Sequence, residues 1–147
     1  MLADRDAIAK VIPHSGRMCL LDGVLECDVQ HIRCISSSHR DTDNPMRSGG
    51  ELLALCAIEY AAQAMAVHGA RGAKSGNKPR AGYLAALRDV ACHVMRLDDL
   101  NDDLIIDAEK MMGDEARVIY QFDIHAGTAL IMSGRATVVL DADKVAA

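Results

Sequence analysis

Glu59 and Gln63 stand four positions apart in the stretch ELLALCAIEYAAQAMAVHGA, which begins at Glu51. Leu55, Cys56, Ile58, Ala62 and Ala66 give Glu59 apolar neighbours on every side. Burying an ionised carboxylate among such groups is expensive. A carboxyl that keeps its proton there is suited to general-acid chemistry. The spacing puts Gln63 one helical turn further along the same face, where its amide can hold the Glu59 carboxyl in one orientation. The non-catalytic alternative is a Glu at a dimer interface, satisfied by an Arg or by water.

Six histidines are candidates for a matching base. His14, in IPHSGRMCLLDGVLECD, lies just before the first expected strand, and an unperturbed imidazole titrates in the range a base needs. Its alternative is structural, a ring bonded to a backbone carbonyl. His39 sits in a polar loop that would have to fold inward. His68 falls near the end of the Glu59 helix, where a cation complements the macrodipole. His31, His93 and His125 read as strand or turn residues. No pair of these has metal-ligand spacing. Ser15, Ser36, Ser37 and Ser38 lack a G-x-S-x-G context, which disfavours a serine hydrolase. No Gly-rich phosphate loop is present.

The elements that must position these groups follow from pattern. The chain of 147 residues fits one domain over 1–147, and half of it is apolar, enough for a core. Asp4 caps a short helix to about Val11. Met18–Cys27 and Ile32–Ser36 read as strands with a turn near Asp28-Val29-Gln30, and Ser37–Gly50 as loop. The Glu59 stretch is a helix that is apolar on nearly all faces, which predicts burial in the middle of the fold. Arg71–Arg80 is a basic loop with Arg71, Lys74, Lys78 and Arg80 and no acid. Tyr83–Leu97, Leu104–Lys110, Arg117–His125 and Thr128–Leu140 turn strand-like, the last two with clear period-2 alternation. About six antiparallel strands curved around one apolar helix make an α+β hotdog arrangement, with a partner molecule covering the rest.

Composition excludes several functions. Aromatic residues are 3% and the net charge is −5, against a single-strand stacking platform or a DNA footprint. Five cysteines without C-x-x-C spacing predict a reducing cytoplasm, with no disulfide scaffold or zinc site. MLADRDAIAK has no apolar core of the kind a secretory signal needs. The longest apolar stretch, Leu52–Val67, is too short for a membrane span and carries Glu59 and Gln63. The eight methionines read as core filler, with Met65 and Met111-Met112 as possible linings of an acyl tunnel.

IPHSGRMCLLDGVLECD followed by AIEYAAQAMAVHGA resembles the hotdog 3-hydroxyacyl-(acyl-carrier-protein) dehydratases of fatty acid synthesis. It resembles most a branch assigned to aryl-polyene pigment pathways. The resemblance covers most of the chain. It implies that Glu59 helps expel the 3-hydroxyl as water, that Gln63 orients it, and that the helix N-terminus gives an N–H to the thioester carbonyl. It implies shared sites between two protomers, an acyl carrier protein as partner, and no cofactor beyond the phosphopantetheine that carries the substrate. The position where the fatty-acid enzymes hold a catalytic loop histidine falls here on Asn44-Pro45-Met46, so His14 is the candidate base. The expected activity is elimination of water from a 3-hydroxyacyl thioester to give the trans-2-enoyl thioester. The alternatives are a non-catalytic acyl-binding subunit of a homo- or hetero-oligomer, its partner supplying the histidine, and an acyl thioesterase.

Overall fold

A computed structural model describes residues 1–12, 16–72, 82–114 and 116–140. Helix α1 (Arg5–Val11) begins where expected: the Asp4 carboxylate accepts the Ala7 N–H at 3.0 Å. Such a cap satisfies one of the N–H groups that a first helical turn leaves over. A short strand, β1 (Ala3–Asp4), precedes it and pairs with β2 (Gly23–Cys27). β3 is His31–Ser36, and the carboxylate of Asp28 accepts the N–H groups of Gln30 and His31 to form the turn between them. After a long loop and a 3-10 turn at Ala54–Cys56 comes α2 (Ala57–Arg71). Four long strands follow: β4 (Gly82–Cys92), β5 (Leu104–Gly113), β6 (Arg117–Ala126) and β7 (Ala129–Leu140).

The strands form one antiparallel sheet in the order β1-β2-β3-β5-β6-β7-β4. It has seven strands, not about six, because the chain start adds β1 to the edge. The hotdog class stands. Alternation sets the core: Val118, Tyr120, Phe122, Ile124 and Ala126 of β6 are buried, while Gln121, Asp123 and His125 face outward. Each large buried side chain contributes on the order of 1.5–3 kcal/mol through removal from water. α2 lies against this inner face with Ala57, Tyr60, Ala61, Gln63, Ala64, Met65, Val67 and His68 buried.

The helix is not enclosed on all sides. Ile58, Glu59, Ala62 and Ala66 are half-buried and Leu55 is 67% exposed, so one long face stays open in the single chain. Met65 is core, but Met111 and Met112 are on the outside of β5, so the tunnel lining expected of them is not seen. His68 also departs from its expected role at a solvated helix end. Its Nε2–H donates to the Asp28 carbonyl at 2.8 Å and its Nδ1 accepts the Tyr120 hydroxyl at 2.7 Å. It therefore ties α2, β6 and the β2–β3 turn together as a neutral ring, and burial holds its pKa below the ordinary value.

Candidate active site

The start of α2 is held by the segment after β4. Ala54 N–H donates to Met95 O at 3.1 Å, Leu97 N–H to Leu52 O at 2.8 Å, and Leu52 N–H to the Asp98 carboxylate at 2.8 Å. Arg96 pairs with that carboxylate and reaches Glu51 at 3.1 Å. The Arg96 guanidinium, with the Leu52 N–H, keeps the Asp98 carboxyl well below the usual carboxylate range. Cys56 N–H bonds Leu53 O, and no side chain caps the helix. Among the described residues the Leu55 N–H has no backbone or side-chain partner, which leaves one donor at the helix entrance.

Glu59 is the third residue of α2 and its only acid, placed where the helix dipole favours negative charge. It lies at the border of the core, half-buried, rather than surrounded by apolar groups as expected. Gln63, one turn on, is fully buried. Its amide has a different occupation from the one expected: Oε1 accepts the Leu20 N–H at 2.9 Å, and Nε2 donates to Met18 O at 2.7 Å. Gln63 thus fastens the chain entering β2 onto the helix beside Glu59. His14 lies outside the described residues, as do Lys74, Lys78 and Arg80 of the basic loop; Arg71 is exposed at the end of α2.

A buried polar network backs this helix, and no pattern in the sequence announced it. Tyr60 Oη bonds Ser38 Oγ at 2.8 Å and accepts from Asn44 Nδ2 at 3.1 Å. Asn44 also donates to Ser38 O at 2.9 Å, and its own Oδ1 accepts the Met46 N–H. Ser36 and Ser38 both reach Leu20 O, at 2.5 and 2.7 Å. The only signal available was Tyr60 itself, a hydroxyl in an otherwise apolar stretch, which when buried must find a partner. Asn44 opens the Asn44-Pro45-Met46 region in which the fatty-acid dehydratases were expected to hold their histidine, and here its amide is taken up by this network.

The remaining histidines are placed elsewhere. His39 is fully buried under the 96–103 segment, with Nε2 3.1 Å from Leu100 O and Nδ1 without a partner among the described residues. Burial first, then the nearby Arg40 charge, lowers its pKa. His31 is 2.8 Å from Asp107 on the outer face of the sheet, and His125 also belongs to that face. No group of His, Cys, Asp or Glu that could hold a metal ion occurs among the described residues.

A family model for ApeP-like proteins, described as ApeP dehydratase, matches residues 6–147. The chain belongs to the ApeP-like dehydratase family. Its fold is that of solved relatives. The dehydratase heterocomplex ApeI:P from Xenorhabdus doucetiae superposes with a TM-score of 0.76 at 22% identity, over 95% of this chain and 96% of that one. A thioesterase from Haemophilus influenzae gives 0.65 at 12% identity, over 95% and 94%. Zebra fish thioesterase superfamily member 2 gives 0.62 at 17% identity, over 93% and 98%. No curated protein matches the sequence. Among the described residues, no helix of this ApeP-like chain is long and apolar enough to cross a membrane.

Proposed function

We propose that this ApeP-like protein acts on a 3-hydroxyacyl thioester borne by an acyl carrier protein. It acts in the cytoplasm and without a cofactor of its own. A base removes a proton from C2, the C3–O bond breaks, and Glu59 gives its proton to the departing hydroxyl. The products are water and the trans-2-enoyl thioester. Charge gathering on the thioester oxygen is met by the Leu55 N–H at the helix entrance. The observation that carries this reading is Glu59, the one acid of α2, at the open border of the helix one turn from that donor.

Gln63 acts on this site by fixing Met18 and Leu20 to the Glu59 helix. His14 is four residues before Met18, and four residues span at most about 14 Å. That short spacing in sequence from a residue tied to the Glu59 helix supports His14 as the base. A second reading is supported by the Asn44-Pro45-Met46 region of the expected histidine, which holds no imidazole and whose Asn44 is bound into the core network. In that reading the chain is one subunit of a hetero-oligomer, and a related hotdog partner brings the base, as the heterocomplex description of the Xenorhabdus relative suggests.

The test uses purified protein, alone and with a hotdog dehydratase subunit, on a 3-hydroxyacyl carrier-protein thioester. The enoyl product is expected, falling by about 10²-fold or more in Glu59→Gln. Turnover by the chain alone that is lost in His14→Gln assigns the base to this chain. Turnover only in the mixture assigns it to the partner. Release of free acid would make the protein a thioesterase, and an active Glu59→Gln would remove the carboxyl from the mechanism.

A further inference from the structure

We propose that Asp98, braced by Arg96, is a positioning residue for the reaction: it holds Leu52–Ala54 out of helix α2 and so keeps the Leu55 N–H free to meet the thioester oxygen. The proposal rests on the dehydration reading, in which that N–H is the donor.

The segment Glu51-Leu52-Leu53-Ala54-Leu55 is built of strong helix formers. Its own sequence would let α2 start at Glu51, just after Gly50. In that helix the Leu55 N–H would bond the Glu51 carbonyl, and the Cys56 N–H the Leu52 carbonyl, four residues back. In the structure both acceptors are taken. Glu51 O accepts the Ser48 N–H at 2.8 Å, and Leu52 O accepts the Leu97 N–H at 2.8 Å. The Cys56 N–H turns to Leu53 O at 3.0 Å, in a 3-10 turn, and the Leu55 N–H is left over among the described residues. The donor is thus a product of competition between helix and ladder for residues 51–54. The late start also makes Glu59 the third residue of α2 rather than the ninth counted from Glu51, which brings it into the first turn, where the dipole acts.

Asp98 decides that competition. The Leu53–Arg96 bridge is flanked by two backbone hydrogen bonds, Leu97 N–H to Leu52 O and Ala54 N–H to Met95 O. A pairing that small is marginal by itself. The Asp98 carboxylate adds a third bond, from the Leu52 N–H at 2.8 Å, and charge-assisted bonds of this kind are the strong ones. Leu52 is fully buried, so water does not stand in for that acceptor. The Asp98 side chain is itself only 6% exposed, and a carboxylate so removed from water needs its counter-ion beside it. Arg96 is that counter-ion, and its guanidinium also reaches Glu51 at 3.1 Å, at the first residue of the contested segment.

Amide hydrogen exchange and kinetics on the same variants test this. In the wild-type chain the Leu55 N–H is expected to exchange near the rate of a solvated amide. In Asp98→Ala the helix is expected to run back to Glu51, and the Leu55 and Cys56 N–H groups to exchange about tenfold more slowly. Mere loosening of the fold would speed their exchange instead. Turnover, alone or in the mixture with a hotdog dehydratase subunit, is expected to fall about 10²-fold in kcat with KM little changed, the pattern of a lost transition-state donor. Asp98→Asn keeps an acceptor for the Leu52 N–H and is expected to retain most of kcat. Leu53→Pro fits the observed φ of −67° and bars the helical region to Leu52. Added to Asp98→Ala, it is expected to restore both rapid Leu55 exchange and turnover. If Asp98→Ala does not fold, Arg96→Gln is read in its place, with slower Leu55 exchange again expected. Leu55 exchange that is equally fast with and without the Asp98 carboxylate, or no recovery with Leu53→Pro, overturns the proposal. A wild-type chain without dehydratase turnover in either setting removes the proposed reaction, and Leu55 exchange still decides what sets the start of the helix.

Discussion

Gln63 joins two parts of the chain that are 43 residues apart. Its oxygen is the partner of an N–H on Leu20, which is fully buried, so no water can replace it. A buried backbone donor left without a partner costs about 1–3 kcal/mol. Gln63→Leu is expected to lose at least that much in urea unfolding, while Gln63→Glu, which keeps an acceptor, loses less. Equal loss in both variants would mean that the side chain's volume matters and its amide does not. That Glu59 and Gln63 share a helix face was legible from their spacing alone. The partners of Gln63 were not, because nothing local in the sequence points from α2 to the entry of β2. The half-open setting of Glu59 was equally hidden, since apolar neighbours in sequence do not say which helix face the sheet covers.

Among the elements, β6, β7 and α1 were the most readable, because period-2 alternation and the Asp4 cap are local signals. The start of α2 was misplaced: its sequence is helix-forming from Glu51, but pairing of Leu52–Ala54 with the 95–97 segment delays the helix to Ala57. β4 was drawn too long for the same reason, its apolar residues running on past Cys92 into that segment. The inner layer of β6 and β7 also hides a tight contact at Gly134. A Cβ there would lie 2.9 Å from the Phe122 ring and 3.0 Å from Val90. Phe122 is fully buried and has no room to withdraw. Gly134→Ala is therefore expected to destabilise by about 1–3 kcal/mol, the usual cost of overpacking. An unchanged thermal midpoint would show that β4 moves aside freely.

At the scale of the whole molecule, two buried histidines couple the fold to pH. His39 and His68 both have pKa values lowered chiefly by burial, and the neutral form of His68 is the one that accepts from Tyr120 and donates to Asp28. The unfolded chain binds these protons more readily than the folded one. Stability is then complete above the ordinary histidine value of about 6.5 and declines as the pH falls through it towards the lowered values. Urea unfolding at about pH 7.5 and 5.5 is expected to show the lower midpoint at 5.5, with a smaller difference in His68→Gln. A flat profile would mean that these rings are already solvated. The wrapped-helix layout was foreseen from an apolar helix among strands, but the free edge at β4 was not, because strand order depends on long-range pairing.

Asn44 also sets what a substitution at its position would cost. Placing an imidazole at that position by one substitution would strip Tyr60 and the Ser38 carbonyl of their shared donor at the same stroke. A histidine there would therefore weaken the packing behind α2 before it could contribute any chemistry.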